Sequence, residues 1–102
     1  MVLVPFPFTD LSGHKVRPAL VLYASARGED CILAFFTSQG SKKSSFDFSV
    51  SASARNGLKI NSMIKLEKLA TLQKKLVLGE LGALEPAYLS AIDSKLKTLF
   101  RL

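Results

Sequence analysis

The stretch Cys31-Ile32-Leu33-Ala34-Phe35-Phe36-Thr37 decides the fold, because its apolar side chains occupy both faces of an extended strand. A strand that is apolar on both faces is covered on both sides, and it therefore lies in the interior of a sheet. The run ends in the hydroxyl pair Thr37 and Ser38, where the buried strand reaches the surface. We therefore predict a central strand over residues 31–37 with a polar end.

Two further strands are predicted before this run. Residues 2–8 alternate apolar side chains with two prolines, a pattern that an edge strand tolerates. Residues 16–23 form a second strand, in which Pro18 forces Arg17 into an extended conformation. The polar stretch 9–15 between them contains a glycine and predicts a hairpin loop. Arg17 is thereby held beside that loop.

The second half of the chain predicts short strands and one closing helix. Residues 46–50 and 62–67 alternate as half-buried strands do, and the apolar runs 69–72 and 76–78 predict additional short strands. From Pro86 the pattern changes to helical period. The predicted apolar stripe of this helix consists of Leu89, Ile92, Leu96 and Leu99.

These elements predict one domain over residues 1–102, which is mainly β with a C-terminal α-helix. The expected architecture is a small barrel or half-barrel of five to seven strands. A chain of 102 residues with 48% hydrophobic content suits a single core.

The charge of the chain favours a polyanionic partner. The formal net charge is +6 and the isoelectric point is near 9.7, with lysines and arginines spread along the whole sequence. A basic folded surface attracts nucleic acid or an acidic peptide. A charge that serves only solubility is the alternative.

The composition also limits the cofactors and the location. Cys31 is the only cysteine and His14 the only histidine, so the usual nitrogen and sulfur ligands of zinc are missing. We expect no disulfide, no metal, no cofactor and a cytoplasmic protein. The apolar start at 1–8 lacks a basic leader and is shorter than the roughly 20 residues of a membrane span, so we expect no membrane association.

A basic site without a metal can cut RNA by using the ribose 2′-hydroxyl as the nucleophile. This reaction needs a base, a cation or hydrogen-bond donors on the phosphate, and an acid for the leaving oxygen. Arg17 suits the phosphate because its planar fork binds two oxygens. Thr37 and Ser38 can donate hydrogen bonds to the same phosphate if they converge with Arg17 on one pocket. An ordinary surface arginine and a turn-capping hydroxyl pair are the structural alternatives.

Two side chains are candidates for proton transfer. His14 lies in the predicted loop and is the one side chain whose unperturbed pKa is near neutrality. Glu67 is the other, and the alternation of its strand places it on the same face as Lys65. A solvated loop histidine and an exposed ion pair of little energy are the simpler readings.

The order of these motifs resembles the PemK/MazF family of toxin endoribonucleases. Arg-Pro-Ala-Leu-Val at 17–21 and Phe-Thr-Ser at 36–38 are the most specific segments. The resemblance covers nearly the whole chain, through the segments 2–10, 17–22, 36–38, 57–59, 62–72 and 79–81.

The resemblance implies an SH3-like barrel of the PemK, MazF and CcdB kind, usually a homodimer. It further implies metal-free, sequence-selective cleavage of single-stranded mRNA that leaves a 2′,3′-cyclic phosphate. The implied partner is an antitoxin whose acidic, flexible tail covers the RNA groove, and operator DNA would be bound only through that complex.

The resemblance also implies roles for individual residues. Arg17 matches the family's catalytic arginine and Thr37 its catalytic threonine, while His14 or Glu67 would transfer protons. The side chains expected to bind RNA are Lys15, Ser38, Lys42, Lys43 and Lys65. The sequence departs from the family in having no glutamate in the first hairpin loop and no Gly-Asp-Ile stretch at its start.

Two other functions fit the same barrel. One is a non-catalytic binding module such as a gyrase-directed toxin, although residues 99–102 lack the tryptophan-bearing tail of those proteins. The other is a decayed toxin that binds antitoxin but no longer cuts RNA.

Overall fold

The computed structural model describes residues 1–6, 15–38 and 44–102 of the chain. These residues form one antiparallel sheet of six strands and a C-terminal helix. In chain order the elements are β1 (Val2–Phe6), β2 (Lys15–Ala24), β3 (Asp30–Ser38), β4 (Asp47–Val50), β5 (Ser62–Gln73), a 3₁₀ turn (Lys74–Leu76), β6 (Gly79–Glu80) and α1 (Pro86–Phe100). The predicted fold class is confirmed. The predicted hairpin loop lies, up to residue 14, outside the described residues.

Strand β3 occupies the interior of the sheet, as its sequence predicts. The strand order is β4-β5-β3-β2-β1-β6, and apolar clusters cover both faces of β3. The cluster on the α1 side includes Leu20, Ala34, Phe36, Ile64, Leu66 and Ile92. The cluster on the opposite side includes Val4, Ala19, Cys31, Leu33 and Leu72. Each fully buried large side chain contributes roughly 1.5–3 kcal/mol to folding.

The sheet curls into a barrel-like shape because the chain after β5 crosses to the far edge. The amide N of Leu78 donates to the carbonyl O of Leu3 at 2.8 Å, and that of Leu81 donates to Met1 at 2.9 Å. Strand β6 then pairs with β1. The barrel is not closed within the described residues, since β4 and β6 form the two edges of the sheet.

The prediction of separate short strands at 69–72 and 76–78 is wrong. Residues 69–72 are the second half of β5, which runs unbroken for 12 residues. Strand β5 pairs with β3 on both sides of an irregularity in the register, so the strand that begins at Ser62 continues into residues 69–72. Residues 76–78 leave the 3₁₀ turn and run beside β1.

Helix α1 begins at Pro86, as predicted, but its buried face differs by one position. Ile92 is buried, whereas Leu89 is 39% exposed. Tyr88 takes the place predicted for Leu89, because its ring packs edge-on against Phe48 with centroids 5.8 Å apart. Within the described part of the chain, no helix has the length and apolar character needed to cross a membrane.

A buried asparagine joins the start of α1 to the connection between β4 and β5 through side-chain hydrogen bonds. Asn56 has no exposed surface, and its amide donates to the carbonyl of Ser51 at 2.9 Å and to Glu85 Oε1 at 3.1 Å. Ser53 Oγ donates to the other Glu85 oxygen at 2.6 Å. A buried amide left without partners destabilises a protein, so these bonds fix the path of the connection.

Candidate functional site

A cleft of about 240 Å³ opens where the polar ends of β2 and β3 lie beside the middle of β5. Its lining consists of Arg17, Phe35, Phe36, Thr37, Lys65 and Lys68. Of the larger depressions, those of about 420 and 390 Å³ are lined mainly by apolar side chains, and one of about 300 Å³ contains Glu29 beside Lys74 and Lys75. We take the smaller cleft as the candidate site because cations and a hydroxyl converge on it.

The pairing of β2 with β3 brings Arg17 and Thr37 together. Ala19 pairs with Phe35, and Arg17 and Thr37 each lie two residues beyond this pair on their own strand. Arg17 is half-buried with its Nε atom inside the protein, which restrains the guanidinium at the cleft. The structure therefore places on one surface the two groups that the sequence predicts to converge.

A bulge in β5 forms the opposite wall of the cleft. Ala34 pairs with Leu69 and Phe36 with Ile64, so residues 65–68 of β5 face Phe35 alone. A bulge of this kind changes the direction of side chains along its strand. Lys65 and Lys68, three residues apart, consequently both line the cleft, which strict alternation along a strand does not allow.

Lys65 is bound to a buried carboxylate. Its Nζ atom lies 2.9 Å from Oδ2 of Asp47, and the backbone N of Ser44 donates to the same oxygen at 2.9 Å. Burial of Asp47, which is 3% exposed, favours its neutral form, but the hydrogen bonds from Lys65 and Ser44 outweigh burial and lower the pKa of Asp47. Asp47 is therefore ionised at neutral pH and balances the charge of Lys65.

Glu67 lies beside the cleft and is not among the side chains that line it. Its Oε1 atom accepts a hydrogen bond of 2.9 Å from Ser44 Oγ, and Glu67 lines a neighbouring groove with Leu66, Leu69, Leu99 and Phe100. The predicted alternation holds at residues 64–67, because Ile64 and Leu66 are both buried in the same core cluster. Ser44 connects Lys65 and Glu67, because its hydroxyl donates to Glu67 and its amide donates to Asp47, the partner of Lys65.

The remaining predicted residues are only partly described. His14, Lys42 and Lys43 lie outside the described residues, and Lys15 is the first residue of β2. Ser38 is exposed at the end of β3, where it pairs with Ser62 of β5. Among the residues that the structure does describe, no group of three or more metal-ligating side chains is present.

Sequence reasoning missed Lys68 and gave Phe35 no role beyond the core. No local pattern marks Lys68, because the bulge that turns it towards the cleft depends on pairing with a distant strand. The cleft thus combines a guanidinium, ammonium groups and a hydroxyl around a half-buried aromatic ring. Such a set of groups can bind a phosphodiester and the nucleoside attached to it.

Comparison with protein families gives one match over almost the whole chain. Residues 1–100 match the family described as the PemK-like, MazF-like toxin of type II toxin–antitoxin systems. The comparison with curated protein sequences gave no match.

The fold is also found in solved structures of low sequence identity. The Mycobacterium tuberculosis toxin MazF-mt6 has 18% identity and a TM-score of 0.75, and the alignment covers 100% of this chain and 98% of that one. A mycobacterial endoribonuclease in complex with its cognate antitoxin has 15% identity and a TM-score of 0.75, with 99% and 90% covered. A further toxin from M. tuberculosis has 19% identity and a TM-score of 0.68, with 80% and 90% covered.

Proposed function

The chain belongs to the PemK-like, MazF-like toxins of type II toxin–antitoxin systems, and from this membership we propose that it is an endoribonuclease that cuts single-stranded mRNA. The observation that carries the proposal is that Arg17 of β2 and Thr37 of the neighbouring strand β3 line the same small cleft. In the proposed reaction a base removes the proton of the ribose 2′-hydroxyl, whose oxygen attacks the adjacent phosphate to form a 2′,3′-cyclic phosphate. The bond between phosphorus and the 5′-oxygen of the next nucleotide breaks, an acid protonates that oxygen to a 5′-hydroxyl, and the reaction uses no metal.

In this proposal Arg17 and Thr37 stabilise the phosphate as negative charge builds on it. The guanidinium binds two phosphate oxygens at once and remains charged at any working pH. The hydroxyl of Thr37 donates to a phosphate oxygen from the neighbouring strand. Because both groups sit on paired strands, their spacing is set before the substrate arrives, and preorganised donors are the most effective stabilisers of a transition state.

Proton transfer in this mechanism belongs to His14 or Glu67. Glu67 lies on β5 between Lys65 and Lys68, which line the cleft, and the hydrogen bond from Ser44 Oγ orients its carboxylate. His14 precedes β2, the strand that carries Arg17. The pH dependence of kcat/KM in the variants His14→Ala and Glu67→Gln identifies the residue that transfers the proton. Loss of the general base removes the fall in kcat/KM that its protonation causes at low pH.

The proposal is tested by cleavage of a single-stranded RNA with and without a chelator. We expect Arg17→Ala to abolish cleavage and to retain the circular dichroism spectrum of the wild type. Arg27→Ala is the matched control, since Arg27 is exposed in the turn between β2 and β3. Full activity of Arg17→Ala would remove this residue from the mechanism, and RNA binding without any cleavage would favour a non-catalytic or decayed toxin.

We further propose the biological setting that the family membership suggests. The RNA is single-stranded mRNA cut at selected sequences in the cytoplasm, and the toxin acts as a homodimer. An antitoxin with an acidic tail covers the cleft, and operator DNA is bound only through the toxin–antitoxin complex. The net charge of +6 supports an acidic partner, and one of the similar structures is an endoribonuclease bound to its cognate antitoxin.

A further inference from the structure

The two lysines of the cleft, Lys65 and Lys68, differ in whether a carboxylate balances their charge. Lys65 is ion-paired with Asp47 at 2.9 Å, and this carboxylate is almost completely buried. If Lys65 moved to a phosphate, Asp47 would remain as a buried charge without a counter-ion, which is a costly state. Lys65 therefore remains bound to Asp47 and adds little net positive charge to the cleft.

Lys68 is in the opposite situation. It is exposed, and among the described residues it takes part in no ion pair. The bulge in β5 directs it towards the cleft that Arg17 and Thr37 also line. Of the two lysines that line the cleft, Lys68 is thus the one that forms no ion pair within the described part of the chain.

We propose that Lys68, and not Lys65, is the lysine of the cleft that binds the RNA backbone, at a phosphate next to the one held by Arg17. This assignment rests on the proposed function. A single strand that crosses the cleft presents successive phosphates, and a guanidinium on β2 together with an ammonium group on β5 can contact two of them. Lys65 instead binds Asp47, which also accepts a hydrogen bond from the amide of Ser44. In this proposal Lys68 takes the RNA-binding role that the sequence predicts for Lys65.

The slope of RNA affinity against salt concentration separates the two lysines. A cation that contacts a phosphate releases a counter-ion, so each lost contact on a single strand lowers the slope of log K against log salt by about 0.7. The probe is a 2′-O-methyl RNA oligonucleotide of mixed sequence, which cannot be cut by 2′-hydroxyl attack. Its dissociation constant is measured by fluorescence anisotropy at several concentrations of sodium chloride.

We expect Lys68→Gln to lower the magnitude of this slope by about 0.7. Lys65→Gln should keep the wild-type slope, because its charge is already balanced by Asp47. Since Lys65→Gln leaves a buried carboxylate alone and can impair folding, the double variant Lys65→Gln with Asp47→Asn removes the pair together and should also keep the slope. Lys97→Gln, on the exposed side of α1, is the matched control.

The assignment is overturned if Lys68→Gln keeps the wild-type slope, or if the double variant lowers the slope as much as Lys68→Gln does. Its failure is distinguishable from failure of the nuclease proposal. A wild-type protein that binds the 2′-O-methyl probe but does not cut ordinary RNA refutes only the nuclease proposal. A wild-type protein that binds no RNA refutes both.

Discussion

At the residue scale, the proposed chemistry depends on hydrogen-bond donors that are fixed by strand pairing. Thr37 of β3 pairs with Met63 of β5, and Arg17 lies two residues before the pair that Ala19 of β2 makes with Phe35 of β3. The strands that carry the hydroxyl and the guanidinium are therefore joined within one sheet, and both residues line the cleft. The geometry of the pair is therefore a property of the fold and does not require the substrate to assemble it.

Removal of the Thr37 hydroxyl should slow cleavage without destabilising the fold. We expect Thr37→Val, which has nearly the same shape, to lower kcat by about 10²–10³-fold, the usual effect of losing one donor to a developing oxyanion. KM for the RNA should change little, because the hydroxyl acts mainly in the transition state. Thr71→Val is the control, since Thr71 is exposed on β5. An unchanged kcat in Thr37→Val would show that Thr37 takes no part in the reaction.

The sequence predicts half of this cleft. Arg17 and Thr37 could be placed because each lies at the polar end of an apolar strand, and such strands pair within the sheet. Lys68 could not be placed, because alternation assigns it to the face opposite Lys65. The bulge that overrides alternation is a feature of the pairing between β3 and β5, which no single segment of sequence encodes.

At the element scale, the polar connection between β4 and β5 is hydrogen-bonded to Glu85, the residue that precedes α1. Glu85 receives hydrogen bonds from Ser53 Oγ and from the buried Asn56 amide. The bond from Ser53 is the main reason that the pKa of Glu85 lies below its ordinary value of about 4.5, with Asn56 and the charge of Arg55 acting in the same direction. The ionised carboxylate is thus the form that the folded protein prefers.

This preference predicts how stability depends on acidity. A carboxylate with a lowered pKa in the folded state stabilises the protein fully above its unfolded pKa, and this contribution is lost as pH falls through the folded pKa. Glu85→Gln should therefore be less stable than the wild type at pH 7, and the difference should shrink below about pH 4.5. Urea unfolding between pH 3 and 7 measures both effects.

Glu29→Gln is the control for this experiment, because Glu29 is exposed in the turn before β3. Its free energy of unfolding should follow that of the wild type throughout the pH range. A constant difference between Glu85→Gln and the wild type at every pH would show that the charge of Glu85 contributes nothing, and that only its shape matters.

The elements differ in how far their sequence predicts them. The four strands β1 to β4 and the start of α1 follow from period-two alternation, apolar content and Pro86. The buried face of α1 does not, because Tyr88 is turned inwards by its contact with Phe48 of a distant strand. The Asn56 and Glu85 contact joins residues 29 positions apart, and polar residues in a connection give no signal of such a partner.

At the scale of the whole molecule, a net charge of +6 attracts any polyanion, and the proposed function assigns the selection among polyanions to the cleft. Salt bridges with Asp or Glu residues are short and strong when the cation is an arginine that binds both oxygens. The guanidinium of Arg17, which we propose to bind a phosphate, therefore also suits the carboxylates of an acidic peptide. Inhibition by an acidic antitoxin and binding of RNA would then use the same cations.

If RNA and the antitoxin tail use the same cations, the two ligands exclude each other. We expect the acidic tail peptide of an antitoxin encoded beside this gene to displace the 2′-O-methyl RNA probe completely, with an affinity that falls as salt concentration rises. Arg17→Ala should weaken the binding of both ligands, whereas Arg27→Ala should weaken neither. A peptide in which Asn and Gln replace the acidic residues serves as the control and should displace little RNA. If the acidic peptide instead binds while the anisotropy of the RNA stays high, the tail occupies another surface and inhibition cannot arise from covering the cleft.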